Sequence, residues 1–182
     1  MTFLYKELSA EAVPYLTCFA AVAVAKAVEK TCGAKPKIKW VNDLFLNGKK
    51  LCGILAEGVT LGTSKEISTV VVGIGLNVEK IDFPEELKDV ATSLFGENFS
   101  CDKSRLIAEI INNFKNVREE LEMKAFVEEY RRLCFVVGKK VSIGRDSNRE
   151  AVVLGIDDDL SLVVEENGKI EKLSCGEISI KI

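Results

Sequence analysis

Apolar and polar positions along this chain follow two different periods, and the change of period divides it. Residues 12–31 are apolar on nearly every side; Ala20, Ala21, Ala23 and Ala25 add little bulk, and only Lys26 interrupts residues 16–28 with a charge. Such a run predicts a buried helix packed closely on a sheet, with Pro14 tolerated in its first turn and Gly33 placed where it would stop. A strand-rich block follows. Lys37-Ile38-Lys39-Trp40 alternates, Leu44-Phe45-Leu46 leads into Asn47-Gly48, and residues 51–59 return as the partner strand. Asn-Gly between apolar segments predicts a hairpin with a type I′ turn, which needs positive φ at both central residues. After a turn at Gly62-Thr63-Ser64, residues 67–78 read as another strand, with Val70-Val71-Val72 buried on both faces.

From 102 to 122 the period lengthens. Leu106, Ile107, Ile110, Ile111, Phe114, Val117 and Leu121 recur at helical spacing behind Asp102, a candidate N-cap. A second helix is expected at 125–133, with Glu128-Glu129 and Arg131-Arg132 as a solvated face. Beyond Gly138 helical spacing vanishes. Short strands are expected at 141–143, 151–156, 160–164, 170–173 and 177–180, with turns at Asp157-Asp158-Asp159 and Asn167-Gly168. The pattern predicts an α/β (α+β) protein. A mixed, largely antiparallel sheet with helices on one face occupies residues 1–136, and a small SH3-like β-barrel occupies 137–182.

Composition narrows the function classes. With 182 residues, 47% hydrophobic and 29% charged, the chain can bury a core and a small second domain. A net charge of −3 argues against a broad nucleic-acid footprint. The absence of histidine removes His-based acid–base and triad mechanisms, and none of the six cysteines forms C-x-x-C, which removes the usual zinc sets. Cys18 and Cys52, inside apolar runs, read as small buried hydrophobes in a reducing compartment. No signal-peptide pattern follows Met1, and residues 16–28 fall short of the roughly 20 apolar residues of a membrane span. A cytoplasmic protein without membrane contact is expected.

Candidate chemistry sits in three short motifs. Gly73-Ile74-Gly75-Leu76-Asn77 carries two alternating glycines but has Val78 where a dinucleotide fingerprint needs a third glycine, and no helix pattern follows. The glycines mark a strand face that a ligand or another backbone approaches closely. In Lys39-Trp40-Val41-Asn42-Asp43-Leu44, two polar residues interrupt an apolar segment just before the hairpin. A turn opened by Asn-Asp and a core aromatic are the ordinary explanations. Gly48-Lys49-Lys50-Leu51-Cys52-Gly53-Ile54-Leu55-Ala56-Glu57 puts lysines at the mouth of an apolar strand. A lysine there usually faces solvent, and one that meets a phosphate or carboxylate would stand in the same place.

Taken in order, these motifs resemble the sequential signature of biotin–protein ligases. Ala91-Thr92-Ser93-Leu94, Tyr130-Arg131-Arg132-Leu133-Cys134 before Gly138-Lys139-Lys140-Val141, and Leu173-Ser174-Cys175-Gly176-Glu177-Ile178-Ser179 extend the resemblance over essentially the whole chain. The resemblance implies joining of biotin to ATP as biotinyl-5′-AMP, then transfer to a lysine of a biotin carboxyl carrier domain. It assigns Lys50 to the biotin carboxyl and adenylate phosphate, and Asp43 to the acyl phosphate, where it orients the incoming amine or a Mg²⁺. Asn42 and Asn77 fall around the nucleotide and metal; Gly53, Leu55, Gly73 and Gly75 fall on the biotin-pocket wall; Lys39 and Trp40 complete the motif. It also implies a homodimer.

Two departures qualify it. Val41 stands where the family has proline, and valine tolerates the same extended backbone. The family's Gly/Arg-rich adenylate loop and its ureido-binding strands precede the part matching residues 2–8, and no Gly-Arg-Gly-x-x-Gly occurs here; the only Gly-Arg pair is Gly144-Arg145. The expectation is therefore the rear of a catalytic core, incomplete for activity alone. The alternatives are an inactive biotin- or adenylate-binding or dimerising pseudo-enzyme, or one half of a split ligase. No helix-turn-helix pattern supports a DNA-binding role.

Overall fold

The long apolar run near the start is one helix, α1 (Ala12–Cys32), and the N-terminal unit is arranged around it. The computed structural model describes residues 1–6, 8, 12–60, 67–144, 149–174, 176 and 178–180; the turn expected at Gly62-Thr63-Ser64, together with Arg145, Cys175 and Glu177, lies outside the described residues. From Leu16 to Val28 every residue of α1 except Lys26 is buried. By length and composition α1 could cross a bilayer, yet protein covers it: it is the core helix.

Five strands, β1 (Thr2–Lys6), β2 (Lys37–Lys39), β3 (Asp43–Leu46), β4 (Lys49–Thr60) and β5 (Ile67–Leu76), form one sheet in the order β1-β5-β4-β3-β2. All its strand pairings are antiparallel. Parallel pairing among the described residues is confined to isolated bridges, Ile38 with Cys134 and Lys50 with Ala91. The β3–β4 hairpin turns at Asn47 and Gly48 with φ of 51° and 82°, the geometry that a type I′ turn requires. Leu44, Cys52, Ile54, Val70, Val72 and Ile74 face the helices and are buried; each large aliphatic among them stabilises the fold by about 1.5–3 kcal/mol. Val71 is only half-buried, lying opposite Leu4 and Glu57 on the other face. The valine run is therefore covered on one side, not two, because no helix among the described residues packs on the outer face.

Residues 102–122 form two helices instead of one, α2 (Lys103–Asn113) and α3 (Val117–Met123), followed by α4 (Val127–Leu133). Asp102 caps α2, its carboxylate accepting from the backbone N–H groups of Ser104 and Arg105 at 2.8 and 3.3 Å. At the break, Phe114 stacks on Phe3 with ring centroids 4.2 Å apart and meets Phe19 edge-on. One ring thus joins β1, α1 and the end of α2.

The C-terminal unit is a second antiparallel sheet of β6 (Lys140–Ile143), β7 (Glu150–Ile156), β8 (Leu162–Glu166), β9 (Lys169–Leu173) and β10 (Ile178–Ile180), ordered β10-β6-β7-β8-β9. Its β8–β9 turn at Asn167 and Gly168 repeats the positive-φ pair. The two units are tied together: the Trp40 indole donates to the Leu160 carbonyl at 3.0 Å and Arg131 Nε donates to the Ile156 carbonyl at 3.0 Å. Arg131 also pairs with Asp158 at 2.5 Å. Its side of α4, expected to be solvated, instead faces the second sheet, whereas Arg132 pairs with Glu129 along the helix.

Candidate functional site

A strict two-residue alternation along β4 would put Lys50 on the same side as Cys52 and Ile54, inside the core. It does not go there. The β3–β4 pairing slips between Leu44 and Phe45, so Asp43 faces Gly53 while Phe45 faces Lys50, and the extra residue on β4 is Leu51. A bulge of this kind re-aims the side chain beside it. Leu51 is buried, and Lys50 emerges on the outer face of the sheet, where its ammonium meets Asp43 Oδ1 at 2.7 Å. The pair is partly shielded, with side-chain exposures of 45% for Lys50 and 20% for Asp43. The Lys50 backbone is held too. Its N–H donates to Val90 O at 2.8 Å and its carbonyl accepts from Thr92 N–H at 2.9 Å.

Glycine makes the space. A Cβ at Gly53 would stand 3.4 Å from Lys50 Cε and 3.6 Å from Asp43 Oδ1, in ordinary contact with the pair. Cβ atoms at Gly73 and Gly75 would meet only backbone oxygens at 3.9 and 3.7 Å, so the protein could accommodate them. What their absence leaves is room above the sheet. There lies an open hollow of about 480 Å³, within the size range of small-molecule sites. Of the residues singled out from sequence, Asn42, Asp43, Lys50, Gly53, Leu55, Gly73 and Gly75 line it.

Lys39, Trp40 and Asn77 stand elsewhere. Lys39 Nζ lies 5.7 Å from the centre of the Phe45 ring, and Trp40 is buried against the second sheet. The Asn77 amide donates to Thr92 O at 3.0 Å. It therefore braces the segment that straps Lys50 instead of facing the hollow. Thr92 in turn donates to Glu97, which also accepts from Asn47; these two hydrogen bonds hold the Glu97 carboxyl below its usual range. Thr2 of β1, Ile54 and Ile74 also line the hollow. Sequence reasoning missed Thr2 because β1 was not recognised as a strand: exposure alternates along Thr2–Lys6, but apolar Leu4 sits on the exposed side and hides the pattern.

The chemistry available is electrostatic. Burial pushes the Cys52 thiol beneath the sheet up to about 12, so it supplies no thiolate. Lys50 offers a fixed cation to an anionic group lying on the glycine floor, and Asp43 an acceptor that can orient an amine. Among the described residues no three His, Cys, Asp or Glu groups cluster as metal ligands. Asp43 is one carboxylate, which fits a Mg²⁺ carried largely by a ligand's own phosphates and no all-protein metal site.

Comparison with known proteins extends these observations. Residues 2–77 match the profile of the Biotin/lipoate A/B protein ligase family. The chain is 32% identical over 188 aligned positions to the bifunctional ligase/repressor BirA of Bacillus subtilis, covering 96% of this chain and 55% of that protein. It is 26% identical to the biotin–[acetyl-CoA-carboxylase] ligase of Mycobacterium tuberculosis, covering 94% of this chain and 64% of that one. The chain thus spans about half the length of the first and under two thirds of the second. In fold it superimposes on the biotin protein ligase of Aquifex aeolicus with a TM-score of 0.84 at 24% identity, over 99% of this chain and 80% of that one.

Proposed function

We propose that this chain, which shares sequence and fold with the biotin–protein ligases along nearly its whole length, carries the acyl-adenylate part of such a ligase. Biotin carboxylate would attack the α-phosphorus of ATP, pyrophosphate would leave, and biotinyl-5′-AMP would lie on the floor of Gly53, Gly73 and Gly75. A carrier-domain lysine amine would then attack the acyl carbon, forming an amide and releasing AMP. Lys50 offsets the negative charge on the acyl phosphate in both steps. Asp43 orients the incoming amine, or supplies one ligand to a Mg²⁺ borne by the phosphates. Asn77 and Trp40 act from behind, Asn77 through the segment that straps Lys50. The observation that carries this reading is the Lys50–Asp43 pair, lifted onto a glycine-floored hollow by a bulge.

A second reading, half of a split ligase, is favoured by a specific observation. Leu4 and Leu55 stand 60% and 57% exposed beside the hollow, and β1, at the end of the sheet order, pairs only with β5 among the described residues. Apolar side chains and an unpaired edge are what a further polypeptide segment would cover. The same surface suits a homodimer. Residues 137–182 are read as an SH3-like barrel domain, and free thiols at Cys18, Cys32, Cys52, Cys101 and Cys134 suit a cytoplasmic setting. Incubation with biotin, ATP, Mg²⁺ and a biotin carboxyl carrier domain, probed for biotinylation, tests the ligase. Biotinylation only after a Gly/Arg-rich front segment is supplied selects the split form, and failure to bind a biotinyl-adenylate analogue with or without that segment rejects both.

A further inference from the structure

Asp43 follows a corner of three residues, and each is pinned by a different part of the molecule. The Trp40 indole donates to Leu160 O in the C-terminal unit at 3.0 Å. The Val41 carbonyl accepts from the Tyr130 hydroxyl of α4 at 2.9 Å, with the Cys18 thiol of α1 near the same oxygen at 3.9 Å. Asn42 makes a reciprocal pair with β4, its side chain donating to Ile54 O at 2.6 Å and its carbonyl accepting from Ile54 N–H at 3.1 Å. Tyr130 is fully buried although its element, α4, lies at the back of the sheet. A buried hydroxyl as a rule finds a partner, but this one is spent on the carbonyl two residues before the carboxylate that meets Lys50.

We propose that Tyr130 is a positioning residue for Asp43. Its hydroxyl and the Trp40 indole fix the corner 40–42 from behind, so that α4 and the C-terminal sheet set where the carboxylate meets Lys50. The consequence for ligand binding rests on the ligase reading; the mechanical coupling does not. With the Tyr130 hydroxyl gone, the corner can rotate about its attachment to β4, and the 2.7 Å pair loses its fixed geometry without any change in the hollow's own residues.

The chain has a single tryptophan, and it stands in this corner, so its emission reports the corner directly. In Tyr130→Phe, emission shifts to the red. By NMR, the Ile54 amide exchanges several-fold faster while the Asn77 amide, bonded to Leu51 O on the same strand, keeps its rate. Affinity for a non-hydrolysable biotinyl-adenylate analogue falls about tenfold, the weight of one buried hydrogen bond. Trp40→Phe accelerates Ile54 in the same way and decides the matter from the other side if Tyr130→Phe does not fold. Tyr15→Phe, whose hydroxyl accepts from exposed Lys124, leaves all three readouts unmoved. Equal acceleration at Ile54 and Asn77, the mark of general destabilisation, overturns the proposal, as does an unchanged Ile54 in both variants. A parent protein that does not bind the analogue, with or without the front segment, rejects the ligase reading, and exchange and emission then decide the coupling alone.

Discussion

At the scale of residues, the site depends on one ammonium and on side chains that are absent. The Lys50 side chain is 45% exposed and contributes little to packing. Lys50→Ala should therefore abolish biotin-dependent adenylate formation while the melting temperature stays close to the parent's. Normal adenylate formation by that variant would remove Lys50 from the chemistry. Gly75→Val tests the floor. Its Cβ meets only ordinary contacts at 3.7 Å and its branches rise into the hollow, so analogue affinity should fall by about tenfold or more, with thermal stability changed by only about 0.5 kcal/mol. The hollow's residues were legible in sequence because glycines and paired polar residues break strand patterns visibly. The side on which Lys50 emerges was not. Counting by twos from Cys52 and Ile54 sends it into the core, and nothing in Lys-Lys-Leu-Cys-Gly announces the irregularity that turns it outward.

At the scale of elements, legibility followed local chemistry. Asn47-Gly48 and Asn167-Gly168 specify their turns through backbone conformations that few other pairs tolerate, and both hairpins stand where expected. Asp102 could be read as an N-cap, and Asp102→Ala should cost about 1 kcal/mol, a fall of roughly 2–4 °C in melting temperature; no change would show that the cap is redundant. The division between α2 and α3 has no such marker. Apolar spacing runs on through Phe114 and Val117, and the break falls where Phe114 is held by Phe3 and Phe19. β1 was hidden for the opposite reason: Leu4 is apolar yet 60% exposed, which blurs the alternation. The strap over Lys50 carries its own pH dependence. The Glu97 carboxyl is held low by Asn47 and Thr92, so its contribution to stability is present at neutral pH and is lost as the pH falls through its folded value. Glu97→Gln should be less stable than the parent at neutral pH, and the difference should shrink on acidification in denaturant titrations. A gap that stays constant with pH would show that the charge plays no part.

At the scale of the whole molecule, the described residues cover the sheet on one face only. Helices bury the inner side, while Leu4, Leu55 and Val59 stand exposed on the outer one. Composition could not reveal this, since apolar residues on a strand read as core whichever way they point. Self-association through this surface predicts a dimer by light scattering at micromolar concentration, shifted toward monomer by Leu4→Lys; a parent that scatters as a monomer rejects the dimer. The slipped pairing between β3 and β4 has a wider consequence. Because Leu51 is the surplus residue, parity is reset there, and the facing of Lys50 and Lys49 depends on the bulge that absorbs it. Without Leu51, Lys50 would adjoin Cys52 and plain alternation would still turn its ammonium outward, opposite Phe45; with Leu51 kept and the pairing made regular, the ammonium would enter an apolar interior. The hairpin can therefore lose its surplus residue with less harm to the ammonium than it can lose the slip that accommodates that residue.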